Sequence, residues 1–156
     1  MKVMRTFLLF VLGLCVFVCG ICVASNPELA ITSKAAVLMD YSSGRVLHEK
    51  NAHEPLPPAS VTKIMTLILA LEAVRDGKVA LNASVPTSEL AASMGGTQIW
   101  LETGEQRPLE ELLYAIAVGS ANDASVAVGE FLAGSEPAFV TLMNAKARAL
   151  GMRNSQ

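Results

Sequence analysis

The sequence has 156 residues, 52% hydrophobic and 17% charged, with a formal net charge of −2. That is enough chain for about one domain, and its apolar content excludes intrinsic disorder. Without Lys2 and Arg5, ten basic residues face fourteen acidic ones and no basic run occurs, which argues against a nucleic-acid partner.

Lys2 and Arg5 precede a charge-free run from Phe7 to Ala24, and Val23-Ala24-Ser25 closes it with small side chains at its end. A basic start, an apolar middle and a small-residue end are the layout of a secretory signal, with cleavage expected after Ala24. The alternative is an uncleaved anchor, because 18 apolar residues can just span a bilayer. On either reading the rest of the chain, 25–156, is exported across the cytoplasmic membrane. Cys15, Cys19 and Cys22 all lie in this segment, so the remaining domain relies on neither disulfides nor thiolate chemistry. Ile21 is too large for the position before a lipid-bearing Cys22.

Ala35 to Asp40 and Arg45 to Glu49 read as two strands joined by the turn Tyr41-Ser42-Ser43-Gly44. Pro55, Pro57 and Pro58 break the chain, and a long helical pattern runs from Ala59 to Val74, stopped by Gly77. Val79-Ala80-Leu81 and Val85 suggest short extended pieces, and the charge-poor stretch from Val85 to Gln98 reads as loop or turn. Helices are expected over Pro108–Val118, with Glu110 and Glu111 near its positive end, then Ala124–Leu132 and Pro137–Leu150, stopped by Gly151. Trp100 and Tyr114 are expected in the core, and Asp123 as a helix cap. His48 and His53 lack metal-ligand spacing.

Two short patterns carry chemistry. Ser60 and Lys63 stand at i and i+3, on one face of the expected helix. A serine hydroxyl needs a base to become nucleophilic, and a lysine can serve where burial lowers its pKa. The residues after Lys63, from Ile64 to Leu71, are apolar on all faces, so this helix belongs in a core. Ser60 at its N-terminus would lie where the dipole favours negative charge. Taken alone the spacing is weak, since a capping serine before an exposed lysine looks the same. The second pattern is Ser120-Ala121-Asn122, between two helical segments. Its hydroxyl can pass protons and its amide can both donate to and accept from a substrate amide, yet it also fits an ordinary helix-to-helix turn.

Taken in order, the two patterns match the first two motifs of the penicillin-recognising serine enzymes. Pro58-Ala59-Ser60-Val61-Thr62-Lys63-Ile64-Met65-Thr66 closely resembles the active-site helix of the low-molecular-mass D-alanyl-D-alanine carboxypeptidases. Leu38 to Leu47 resembles that family's opening hairpin, and Gly95-Gly96-Thr97-Gln98-Ile99-Trp100-Leu101 with Gly104 resembles the loop beside its site. Ser120-Ala121-Asn122-Asp123-Ala124, Phe139 to Asn144 and Leu150-Gly151-Met152 extend the likeness to the end of the chain. The resemblance implies an α+β, serine β-lactamase/transpeptidase-like fold, an antiparallel sheet flanked by helices. It implies acyl transfer without metal or cofactor: Ser60 as nucleophile, Lys63 as general base, Ser120 as proton shuttle and Asn122 as substrate-orienting group. The implied substrate is a peptidoglycan stem peptide ending in D-Ala-D-Ala, with β-lactams as inhibitors. Relatives often carry an amphipathic anchor, which implies peripheral membrane association. A β-lactamase and a non-catalytic cell-wall binding protein stay open as alternatives.

Two departures stand out. The middle residue of the second motif, often glycine, is Ala121, and the third motif, Lys-Thr-Gly, does not occur. The expectation is that the strand bearing it follows Gln156, and that the 156 residues alone do not turn over substrate.

Overall fold

The computed structural model describes residues 30–156, so the expected signal and its cleavage site lie outside the described residues. The chain divides into two compact units, one up to Glu54 and one of Pro55–Gln156.

In the first unit, β1 (Ala36–Met39) pairs antiparallel with β2 (Val46–Lys50). Ala36 faces Lys50, Val37 faces Glu49 and Leu38 faces His48, with a register irregularity between Leu38 and Met39. The turn closes on Asp40, whose carboxylate accepts from the Ser43 hydroxyl and from the Ser43 N–H at 2.8 Å. Those two bonds, the hydroxyl first, hold the Asp40 carboxyl below its ordinary pKa. Gly44 takes φ 70°, a conformation that a side chain would resist. The predicted hairpin is thus present, with its strands displaced by about one residue, the usual uncertainty of strand ends.

The second unit is mostly helical. Ala59–Thr62 forms a 3-10 turn, followed by α1 (Lys63–Arg75). A short antiparallel pair, β3 (Ser84–Pro86) with β4 (Gln106–Pro108), brackets a one-turn helix, α2 (Glu89–Ala92), capped by the Ser88 hydroxyl. Three helices follow: α3 (Leu109–Gly119), α4 (Asn122–Ala133) and α5 (Glu136–Ala149). Helix α3 buries Leu109, Leu112, Leu113 and Ile116, the i, i+3, i+4, i+7 stripe of a helix packed on one side. Helix α4 meets it with small residues, Ala124, Ala127 and Val128, which let the helices approach closely. Ala70 of α1, Val85 of β3 and Leu101 join the same core. Helices α4 and α5 turn through 85° at Gly134-Ser135, where Gly134 has φ 85° and the Ser135 hydroxyl caps α5. Lys146 of α5 sits 2.6 Å from the half-buried carboxylate of Glu72 on α1. Among the described residues, no single helix is long and apolar enough to cross a membrane.

Four expectations are corrected. The helix expected from Ala59 becomes α-helical only at Lys63: Ala59–Thr62 form a 3-10 turn that Ala59 enters with φ 49°, outside the right-handed helical region. The extended piece expected at Val85 is present as β3, paired 22 residues away with Arg107, but the following stretch to Gln98, expected as loop or turn, contains the one-turn helix α2. Trp100 and Tyr114, expected in the core, are 75% and 66% exposed. Their bulk suggested burial, but α3 already fills its inner face with leucines and Trp100 stands on a loop. The all-apolar α1 fully buries only Thr66 and Ala70, while Ile64 and Leu71 remain more than half exposed.

The tightest helix contact is between α4 and α5. A Cβ built on Gly129 would lie 2.7 Å from Cδ1 and 3.0 Å from Cγ of the buried Phe139 ring. Gly129→Ala gains about 1 kcal/mol of helix propensity but overpacks this contact by roughly 1–3 kcal/mol. We expect a lower thermal midpoint for Gly129→Ala and partial recovery when Phe139→Leu is added. A midpoint equal to or above wild type would show that the ring yields freely.

Candidate active site

The site forms where the start of α1 meets the start of α4. In the 3-10 turn, the Val61 N–H donates to the Pro58 carbonyl at 3.2 Å and the Lys63 N–H donates to the Ser60 carbonyl. The i to i+3 repeat stacks residues 60 and 63 over one another. Lys63 Nζ accordingly reaches Ser60 Oγ at 3.4 Å, long for a hydrogen bond. Ser60 is exposed, and Lys63 is half-buried rather than enclosed.

Lys63 Nζ also donates to Asn122 Oδ1, at 2.5 Å. Asn122 is fixed from three sides: its Nδ2 donates to the Gly95 carbonyl at 2.7 Å, its backbone N–H donates to the Thr97 carbonyl at 2.7 Å, and its Oδ1 takes the lysine. The 95–97 backbone comes so near because Gly96 has no side chain: a Cβ there would lie 2.8 Å from Asn122 Nδ2. Gly96 also takes φ 80°. Each atom of the Asn122 amide keeps further hydrogen-bonding capacity for a ligand.

Ser120 ends α3 in the left-handed conformation, φ 55° and ψ 37°, with its N–H donating to the Ile116 carbonyl at 3.1 Å. It is half-buried two residues before Asn122. No hydrogen bond joins its hydroxyl to Ser60, Lys63 or Asn122; the structure links those three and places Ser120 beside them in the chain. Ala121 is fully buried among the core residues, so the extra methyl relative to glycine packs inward.

Asp123 is the residue that sequence reasoning misread. It does not cap α4, whose N-cap is Ala121. Its fully buried carboxylate instead accepts from the backbone N–H groups of Ile99, at 3.1 and 3.2 Å, Leu101, at 3.1 Å, and Ala124, at 2.8 Å. Between the two tethered loop amides, Trp100 is left with φ 62°. Its only sequence signal was an acidic residue in the first turn of a helix, which points to the dipole and says nothing of a loop 22 residues upstream.

Backbone strain marks the same region. Among the described residues four non-glycines have positive φ: Asn51, Ala59, Trp100 and Ser120. Three of them are the residue before Ser60, the residue between the Asp123 tethers, and Ser120 itself. Each such conformation costs on the order of 1–3 kcal/mol and persists only where surrounding contacts enforce it.

The sequence profile of the D-alanyl-D-alanine carboxypeptidases matches residues 22–156. The chain belongs to this family. It is 53% identical over 130 residues to the D-alanyl-D-alanine carboxypeptidase DacF of Bacillus subtilis, covering 83% of this chain and 33% of that one. It is 37% identical over 132 residues to DacC of Escherichia coli, covering 81% and 33%. Among solved structures it resembles the carboxypeptidase DacD of Francisella tularensis, with TM-score 0.78, 36% identity and coverage of 81% and 30%. Penicillin-binding protein D2 of Listeria monocytogenes in its ampicillin-bound form gives TM-score 0.70 and 29% identity, over 80% of this chain and 49% of that one. The chain therefore spans about a third of the curated carboxypeptidases it matches. The α+β, transpeptidase-like fold expected from the sequence is that of the solved structures this chain resembles.

Asp123→Ala removes the acceptor of three buried or half-buried N–H groups, each worth about 1–3 kcal/mol when left unsatisfied. We expect amide exchange at Ile99 and Leu101 to quicken at least about tenfold beyond the change in the core helices, following from one such bond. Exchange at those two amides that merely tracks the helices would show that Asp123 does not hold the loop.

Proposed function

We propose that the protein is a serine D-alanyl-D-alanine carboxypeptidase that removes the terminal D-alanine from peptidoglycan stem peptides. The observation that carries this reading is Lys63 Nζ standing between Ser60 Oγ and Asn122 Oδ1, at 3.4 and 2.5 Å. Family membership and the arrangement of strained residues around the same atoms support it.

In this reading Ser60 Oγ attacks the carbonyl carbon of the penultimate D-alanine as its proton passes to neutral Lys63 Nζ. The tetrahedral intermediate collapses, the peptide C–N bond breaks, and the departing D-alanine amine takes a proton relayed by the Ser120 hydroxyl. Water then attacks the ester, its proton returns through the same lysine, and Ser60 is released. Asn122 aligns the peptide with the free donor and acceptor of its amide while holding the lysine in place. No metal or cofactor enters. β-Lactams would acylate Ser60 by the same route and remain as slowly hydrolysed esters.

Labelling with a fluorescent penicillin, on a protein that also carries the third motif, tests the roles. Ser60→Ala should abolish covalent labelling, and Lys63→Arg should nearly do so, because arginine stays protonated. Gly96→Ala should slow acylation roughly 10- to 100-fold by displacing Asn122, since misplacement of about 1 Å can have that effect. Normal labelling of a folded Ser60→Ala protein would remove Ser60 from the mechanism. Rapid hydrolysis of the penicillin would identify a β-lactamase instead, and absence of any labelling a non-catalytic wall-binding protein.

We also propose an extracytoplasmic location, periplasm or cell wall, on the pattern of residues 1–25. N-terminal sequencing of the exported protein should begin at Ser25. A mature protein beginning at Met1 would mean a retained anchor.

A further inference from the structure

Trp100 combines two features that folding alone does not explain. Its backbone is left-handed, at φ 62°, a true outlier for a bulky residue, although glycines stand nearby at positions 95, 96 and 104. Its side chain is 75% exposed, so the indole gains little of the burial that normally justifies a tryptophan. The conformation is enforced: the N–H groups on either side of it, Ile99 and Leu101, are both held by the fully buried Asp123 carboxylate. Asp123 directly follows Asn122, and the same loop contacts Asn122 through the Gly95 and Thr97 carbonyls. A buried carboxylate next to the candidate substrate amide group therefore sets the backbone of an exposed aromatic residue on the adjoining loop.

We propose that Trp100 is a substrate-contact residue that packs against the stem peptide on the acyl side of the scissile bond, with Asp123 as its positioning residue. This rests on the carboxypeptidase reading. An acyl-donor peptide aligned by the Asn122 amide continues past it along the loop that Asn122 and Asp123 hold. There the indole offers a flat apolar face for the aliphatic part of the peptide upstream of the two D-alanines. The contact adds affinity for a full-length stem and little for a truncated one, because a short acyl donor ends before reaching it.

The test is equilibrium binding to the full chain carrying Ser60→Ala, so that bound peptide is not consumed. The probes are the pentapeptide L-Ala-γ-D-Glu-L-Lys-D-Ala-D-Ala and the short donor N-acetyl-D-Ala-D-Ala, followed by calorimetry and by indole fluorescence. Trp100 is the one tryptophan in these 156 residues, and Trp100→Phe identifies its signal by difference. The pentapeptide should shift the Trp100 emission saturably. Trp100→Ala should weaken pentapeptide binding roughly tenfold, the scale of a contacting aromatic, and binding of the short donor by no more than about twofold. Trp100→Phe should recover most of the loss, and Asp123→Asn should diminish the emission shift with the indole still present. Equal pentapeptide affinity in Trp100→Ala, an unchanged emission, or equal losses for the two donors would overturn the proposal. Penicillin labelling separates it from the reading beneath: labelled Ser60 with no pentapeptide contact at Trp100 sinks only the proposal. Pentapeptide binding at Trp100 without labelling sinks only the acyl-enzyme mechanism.

Discussion

The hydrogen bond from Lys63 Nζ to Asn122 Oδ1 joins parts of the chain 59 residues apart, and the site is organised around it. On one side it fixes the lysine within reach of Ser60. On the other it fixes the Asn122 amide, whose Nδ2 donates to the Gly95 carbonyl while the backbone N–H of the same residue donates to the Thr97 carbonyl. A half-buried lysine amine needs an acceptor for its N–H, and the Asn122 amide oxygen provides one.

The helices α1, α3 and α4 make that bond possible by bringing two helix starts together on one core. The stripe of α3 leucines and the small residues of α4 set the separation, and Ala70 lets α1 approach the same cluster. The junction between α3 and α4 is short because Ser120 reverses the chain in a single left-handed residue, with Ala121 anchored in the core. Packing energy from the helices thus holds the strained positions 59, 100 and 120, and those positions present the chemical groups.

Much of this was legible in the sequence. Ser60, Lys63 and Asn122 are joined in the structure as their order suggested, because a motif at a helix start survives small errors in helix boundaries. The helix expected over Pro108–Val118 is present as α3, because its signals are local. What failed was non-local. Asp123 looked like a cap because its partners, Ile99 and Leu101, lie far upstream. Trp100 looked like core because residue size predicts burial only where a neighbour exists to cover it. Strands β3 and β4 were invisible as a pair, since three residues carry no period. The turn at Ala59 was hidden because alanine is a strong helix former and gives no sign of positive φ.

The 3-10 geometry of Ala59–Thr62 has an angular consequence. In a 3-10 turn three residues complete one revolution, so a hydroxyl at 60 and an amine at 63 lie in the same azimuthal direction. At 3.6 residues per revolution the same two positions are offset by about 60°. Winding residues 59–62 into the α-helix would rotate Ser60 around the axis, away from the amine, while leaving the helix longer and more regular. The left-handed Ala59 obstructs that winding at its upstream end. In this fold the aligned pair thus goes with the 3-10 turn and the left-handed Ala59 that precedes it.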